Sequence, residues 1–456
     1  MMKKRLTAVL LVLFFSFTLV NFKAFAAPID DVKTLLQYYY VDEVSQDVLN
    51  AETVEDALKA LGDPYTQYFT KEEFNDFINS INNSFSGIGI QIEKVDEGVK
   101  AMTVFEGSGA KDAGIKAGDI IIEADGTSLA GMQTEQAVKL IRGPEGTTVN
   151  LKIKRGSEIL EFTVTRKKIV LPTVDYKIIN NVAHIAISSF GEDTDEKFKE
   201  IINKVGNVDG YIIDLRNNPG GYLDTAINLG GYFVGPKNII IVKAKEDSQA
   251  IPSEMNELLK GKKVIFLVNE NSASASEVLS GAIKDYKRGL LVGNKTFGKG
   301  TVQTFISLSD ESVLKFTIQK FYSPLDKPIN KVGVSPNVLV KDAKMQQDIA
   351  LMLLSKSKSA DKRGYFRVKI AGQYYEVKKS ILNHKNYYDA FMYLLNHNYI
   401  QEYQDGAKER YVRIANVKRV IEKLATDKAY LVRTKVKGKY IYNIKYRELA
   451  AIKKGA

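Results

Sequence analysis

The chain contains no Cys, no Trp and only three His, at 184, 384 and 397. Without a thiol, cysteine-nucleophile chemistry is excluded. No disulfide can form, so the domains must be large enough to fold by burial alone. A zinc site would have to use scattered histidines or carboxylates, and no His-Glu-x-x-His spacing exists. One apolar run is long, and it is the first: Thr7 to Val20, preceded by Lys3, Lys4 and Arg5 and followed by Ala24-Phe25-Ala26. This is the pattern of an export signal cleaved before Ala27. The run falls short of the ~18–20 residues that span a bilayer comfortably, yet a retained anchor would also place the body outside the cytoplasm. No Cys near the cleavage site means no lipid attachment there. No second long apolar run follows, and no internal repeat is evident.

What is present is 456 residues, 45% hydrophobic, with a net charge of +11. The length implies roughly three domains at ~150 residues each. The charge is uneven. Residues 361–456 hold 22 Lys and Arg against 9 Asp and Glu, together with 13 of the 24 tyrosines. The basic character therefore belongs to a C-terminal module. In an exported chain it has two readings. One is a surface for an anionic cell-wall polymer or membrane, with nucleic acid set aside. The other is a solvated basic α+β module used in self-association as a homo-oligomer.

Residues 27–85 read as helices, with apolar stripes at Val32, Leu35, Leu36 and Tyr39 and at Val54, Leu58 and Leu61. Asp63-Pro64-Tyr65 is a turn between helices. From Gly87 the period becomes two. Strands, one helix over Thr134 to Ile141, and turns at Asp125-Gly126 and Glu145-Gly146 follow; both turns fit hairpins. This order, with its Gly87-Ile88-Gly89-Ile90 loop and Ala113–Asp119 segment, resembles a PDZ domain over 86–167. Such a loop can turn successive amides toward a carboxylate, and the strand after it can pair with an extended peptide. Ala137, Leu140 and Ile141 are expected near an apolar side-chain pocket. Arg142 ends the helix, either as a cation favoured at a helix C-terminus or as a link to the rest of the chain. From Ala183 on, strands and helices alternate, which implies an α/β layered core. That body is expected to span 168–345. A helix from Ala343 to Leu354 and a polar linker at Ser355–Arg363 lead to the basic module at 346–456.

Two segments carry the chemistry: Asn271-Ser272-Ala273-Ser274-Ala275-Ser276-Glu277 and Thr296-Phe297-Gly298-Lys299-Gly300-Thr301-Val302-Gln303. A serine hydroxyl needs a base. A lysine can serve if burial lowers its pKa from about 10.4. Gly298 and Gly300 let the backbone close around Lys299. Gln303, four residues on, can orient the amine without adding a charge that would raise its pKa. Any of the three serines could be the nucleophile; Ser272 and Ser276 also read as capping or packing residues, with Ser276-Glu277 a helix start. Asp285 reads as a structural helix end. His184 lies on an alternating strand and reads as structural. Gly293 to Lys299 fits G-x-x-x-x-G-K, but Gly300 stands where a phosphate loop needs Ser or Thr.

These segments, with Asp214-Leu215-Arg216-Asn217-Asn218-Pro219-Gly220-Gly221 and the PDZ-like insert, resemble the carboxyl-terminal processing (tail-specific) proteases of the Ser-Lys class over about 30–345. The resemblance implies Ser274 as nucleophile, Lys299 as base 25 positions later, and Gln303 as its support. It implies an oxyanion hole from Ala275 with Gly220 or Gly221, where a helix start already offers amides to negative charge. It implies protein substrates with apolar C-terminal tails, and no metal or cofactor. The rival expectation is a catalytically silent tail-binding scaffold. The expected architecture is thus multidomain α+β and α/β: an N-terminal helical cap, an α/β core with an inserted PDZ-like domain, and the basic module.

Overall fold

The computed structural model describes residues 28–355 and 365–405, with the backbone of 412–413, 429–436 and 439–446. The expected signal segment and most of the expected linker lie outside the described residues. No helix among the described residues is long and apolar enough to cross a membrane.

Two units are distinguished. The first comprises the chain up to residue 71 and residues 304–316. Its helices are Pro28–Tyr39, Gln46–Asn50 and Val54–Leu61. The last starts where Thr53 Oγ1 accepts the Asp56 amide at 3.1 Å, and stops at Gly62, whose φ of 66° suits glycine. Val32, Leu36, Val48 and Ala57 are fully buried, while Tyr39 of the expected stripe is exposed. Helix was expected throughout this segment, yet Gln67–Phe69 is a strand. It pairs antiparallel with Val313–Lys315, a partner some 240 residues away in sequence that local pattern cannot reveal.

The second unit holds 72–303 and 317 onward. A two-stranded ribbon, Ser84–Gly87 against Lys167–Val170, brackets a six-stranded antiparallel sheet. The helix Thr134–Ile141 packs on it, matching the sequence reading. Asp125 and Gly126 have φ of 44° and 79° and close a two-residue hairpin, as expected. Glu145-Gly146 does not join two strands. It leads from the helix into Thr148–Arg155, and the hairpin turn lies at Gly156-Ser157.

The body is a six-stranded sheet ordered Val174–Ile179, Val182–Ile187, Gly210–Asp214, Val264–Val268, Leu290–Gly293, Val338–Leu339. The first pair is antiparallel and the rest are parallel. Val264–Val268 is apolar at every position because both faces are covered. Val264, Phe266 and Val268 join the core under the helices Thr194–Val205, Leu223–Val234 and Ala275–Asp285. Ile265 and Leu267 face the opposite core, built with the helix Ala343–Leu354. That second core also takes in strands Tyr365–Ile370 and Gln373–Lys378, the helix Lys385–Asn396, and Ile400 and Tyr403. The boundary expected at 345/346 therefore falls inside a helix, and residues 365–403 complete the body's second face. Residues 365–405 hold five basic and four acidic residues; 406–456 hold fifteen and four. The basic excess lies in the last segment alone.

Candidate active site

The strand Val264–Val268 ends in a loop that enters the helix Ala275–Asp285 through Ser274. The two flanking serines are committed to structure. Ser272 Oγ donates to the Leu215 carbonyl at 2.7 Å and accepts the Asn269 amide at 2.9 Å. Ser276 Oγ donates to the Asn218 carbonyl at 3.0 Å. Both are fully buried. Ser274 differs: it is half-buried and has φ 54°, ψ −114°. A side chain held there costs on the order of 1–3 kcal/mol and persists only when neighbours over-determine it.

Those neighbours are identifiable. Asn218, fully buried, accepts the Ala273 amide on its carbonyl at 3.0 Å and donates its own Nδ2 to the Ile187 carbonyl at 2.9 Å. Its Oδ1 accepts the Gly220 amide at 2.9 Å. Gly220 has φ 108°, and a Cβ there would sit 2.8 Å from the Ser274 Cβ and 3.1 Å from the Ala275 nitrogen. Only glycine lets this turn approach the serine so closely. Gly221, at φ 147°, has no room either: a Cβ would lie 2.2 Å from the Phe190 carbonyl oxygen.

Glu277 ties the serine to the lysine. Its Oε2 accepts the Ser274 amide at 2.9 Å and the Lys299 amide at 2.8 Å. Its Oε1 accepts Thr296 Oγ1 at 2.5 Å and the Gly298 amide at 2.7 Å. Residues 25 apart in sequence thus have their backbones on one oxygen atom. Glu277 is fully buried; burial pushes its carboxyl pKa up, and its four donors oppose that rise without cancelling it. The sequence reading treated Glu277 only as part of a helix start. The Ser-x-x-Glu spacing of Ser274 and Glu277 is a capping-box signature and could have found it. Lys299 is half-buried, and a Cβ on Gly300 would fall 2.1 Å from the Asn330 nitrogen. Gln303 lies on the strand Thr301–Ser307, where its Nε2 donates to Thr301 Oγ1 at 2.7 Å and lies 3.5 Å from Thr317 Oγ1.

Residues 181–340 match the model of Peptidase family S41, and residues 86–165 match that of the PDZ domain. The chain contains an S41 peptidase domain and a PDZ domain. It is similar to a probable CtpA-like serine protease of Staphylococcus aureus strain N315, 36% identical over 324 residues, which are 70% of this chain and 65% of that protein. The same-named protein of Staphylococcus haemolyticus strain JCSC1435 is 37% identical over 319 residues, 69% and 64% of the two chains. The chain thus spans just under two thirds of these curated relatives. A solved photosystem II D1 C-terminal processing protease is 25% identical, with a TM-score of 0.45, covering 72% of this chain and 97% of that one.

In the S41 domain His184 stands apart from Ser274. Its Nε2 lies 2.9 Å from Asp214 Oδ2, and Arg216 donates to the same carboxylate at 2.6–2.8 Å. Burial would raise the Asp214 pKa, but His184 and Arg216 hold it down at about 2. Arg216 Nη1 also donates to the Ala343 carbonyl at 2.8 Å, clamping the helix Ala343–Leu354 to the sheet. Asp285 ends its helix and accepts from Ser323, the Leu325 amide and Lys327, a structural role.

In the PDZ domain Ile88 is buried and Gly89 has φ 77°, with a Cβ position only 2.2 Å from the Ser108 Cβ. The carbonyls of Ile88 and Gly89 accept the amides of Ala110 and Phe105. Ile90 opens the strand Ile90–Val95 after this turn. Ala137 and Ile141 are buried in the domain core, and half-buried Leu140 lines a cavity of about 610 Å³ with Ala130, Met132 and Lys139. Half-buried Val138, on the same helix, was not singled out from sequence. The Arg142 guanidinium lies 5.1 Å from the Phe85 ring centroid, on the ribbon strand Ser84–Gly87 that leads into the PDZ sheet. Among the described residues no cluster of three or more His, Asp or Glu could hold a metal ion.

Proposed function

We propose that the protein is an exported serine-type endopeptidase that captures the apolar C-terminal tails of protein substrates and cleaves them with a Ser274–Lys299 dyad. The observation that carries this reading is the single Glu277 oxygen shared by the Ser274 and Lys299 amides. A structural lysine has no need of such a link to a strained serine at a helix start.

Ser274 Oγ attacks the scissile carbonyl as its proton passes to the neutral amine of Lys299. The oxyanion forms beside the first amides of the helix Ala275–Asp285, where the dipole favours negative charge. Since the Gly220 amide is engaged by Asn218, Ala275 and Gly221 are the assigned donors, and Gly220 contributes by its lack of a side chain. The C–N bond then breaks, and the Lys299 ammonium protonates the leaving amine. Water attacks the acyl ester, Lys299 takes its proton, and Ser274 regains a hydroxyl. Gln303 supports the amine from the adjoining strand.

The tail carboxylate is assigned to the amides around Gly87–Ile90, and its last apolar side chain to the side of the helix Thr134–Ile141. Capture raises the local concentration of the peptide near Ser274. The basic excess of residues 406–456 is assigned to an anionic envelope surface. The test is incubation of purified protein with peptides ending in free apolar residues. Cleavage by the wild type, and intact peptides trapped on Ser274→Ala, are expected. Tight tail binding with no cleavage by the wild type would replace the enzyme with a silent scaffold.

A further inference from the structure

Phe297 is 59% exposed and Val332 is 44% exposed, although both sit among buried neighbours. Thr296, Gly298 and Gly300 are buried around Phe297, and Ile329, Gly333 and Val334 around Val332. The two segments are laced together. Lys331 donates its amide to the Gly298 carbonyl at 2.8 Å, and Thr296 its amide to the Val334 carbonyl at 3.2 Å. A Cβ on Gly298 would come within 3.4 Å of the Val332 nitrogen. The same lacing reaches the nucleophile loop. Phe297 donates its amide to the Ser272 carbonyl at 3.0 Å, and Lys299 shares the Glu277 oxygen with Ser274. Two large apolar side chains are therefore left in water on adjoining segments, beside the residues assigned to chemistry. Single exposed apolar residues need no explanation, but a pair at this position does.

We propose that Phe297 and Val332 seat the substrate side chain next to the scissile bond, and that an apolar side chain seated there closes Lys299 off from water. This rests on the Ser274–Lys299 reading and adds the specificity of the same site. Lys299 is only half-buried, so water reaches its surroundings before substrate arrives. Removing that water disfavours the ammonium and lowers the amine pKa. An apolar substrate residue thus contributes twice, by its own burial on the two side chains and by readying the base. A glycine or a carboxylate at the same place contributes neither.

Two peptides test this, identical in their apolar free-acid tails and differing only in Leu or Gly beside the cleaved bond. They are compared on wild type, Phe297→Ser, Val332→Ser and the conservative Phe297→Leu, all checked for an unchanged melting temperature. The wild type is expected to prefer the Leu peptide by roughly tenfold or more in kcat/KM, the range one apolar group commands in a pocket. Phe297→Ser should lose most of that preference by slowing the Leu peptide much more than the Gly peptide. It should also shift the rising limb of its kcat–pH profile to higher pH, and Phe297→Leu should restore both. Val332→Ser should act in the same direction, less strongly. Unchanged preference and unchanged pH profile in both serine variants would overturn the proposal and leave the dyad standing. A wild type that cleaves neither peptide would overturn the dyad reading, and this proposal with it.

Discussion

In the loop that carries Ser274, the neighbours are polar and sealed from water: Glu277, Asn218, Ser272 and Ser276 are all fully buried and all hydrogen-bonded to backbone. In the loop Gly87–Ile90 the constraint is shape, with Ile88 packed in an apolar core and Gly89 pressed against Ser108. The contrast matches what the proposed function asks of each loop. A reaction needs atoms held to fractions of an ångström, and buried polar groups have few alternative geometries because an unmade bond costs so much. A tail-binding loop needs amides left over for a ligand, and glycine with apolar packing supplies those without competing for them. If this is right, damage to the first loop should remove turnover and spare binding, and damage to the second should do the reverse.

The largest effect is expected at the dyad. Ser274→Ala and Lys299→Ala should each lower kcat by about 10⁴-fold or more, and the double variant should be no worse than either alone. Ser272→Ala should keep substantial activity, because its hydroxyl serves the Leu215 carbonyl. Steady-state cleavage by the three singles and the double decides the assignment. An inactive Ser272→Ala beside an active Ser274→Ala would reverse it.

Next is Glu277→Gln. The amide nitrogen cannot accept, so one oxygen's pair of bonds becomes a clash of donors. Displacing Ser274 relative to Lys299 should lower kcat by about 10²-fold, while tail affinity, read by fluorescence anisotropy, stays within twofold. An equal loss of tail affinity would mean that the two loops are not held independently.

Acid stability separates Asp214 from Glu277, two buried carboxylates of the S41 domain. The folded pKa of Asp214 is depressed to about 2, so its contribution is present above the ordinary aspartate value and lost as pH falls through about 2. Over nearly two units that is about 2 kcal/mol at neutral pH. Glu277 has the opposite sign. Its raised pKa makes its contribution full at low pH and lost as pH rises through the folded value. Urea titrations should show the stability difference between pH 5 and pH 2 reduced in Asp214→Asn by about 2 kcal/mol relative to wild type. A wild-type slope retained in Asp214→Asn would assign the acid sensitivity elsewhere.

Amidating the substrate tail should raise KM by about tenfold, the worth of a charged acceptor on backbone amides, with kcat nearly unchanged. Equal cleavage of free-acid and amidated tails would remove the tail-reading assignment.

The buried strand at 264–268 was legible as a run of five apolar residues, and the hairpin at Asp125-Gly126 as a turn dipeptide. The proposed pairing of Ser274 with Lys299 rests, at the level of sequence, on a 25-residue spacing matched to a family. The clamp by Asn218 was not legible, because it joins the serine loop to a turn more than 50 residues earlier and no local pattern encodes that partner. The domain boundary at 345/346 was misplaced for a different reason. Ile349 to Leu354 is an unbroken apolar run within a helix, and a helix apolar on every side is buried on every side. It lies between the sheet and residues 365–403, and a boundary inside it has no physical basis.

The smallest effect is expected where the two loops meet the chain that joins their domains. Arg142 ends the PDZ helix, and its guanidinium lies over Phe85 on the ribbon Ser84–Gly87. That ribbon continues into the Gly87–Ile90 loop on one side and, through Lys167–Val170, toward the S41 sheet on the other. Phe85 is therefore the contact at which a link from Arg142 toward the S41 domain is tested. A cation over a ring is worth about 0.5–1 kcal/mol at an exposed site, which bounds the coupling to a few-fold. If the contact transmits tail capture, Arg142→Ala and Phe85→Leu should each leave tail affinity intact and change kcat two- to fivefold, and the double variant should match either single one. If kcat is unaltered and only the melting temperature falls, by about a degree or two, Arg142 holds the helix end and the ribbon together and carries no signal.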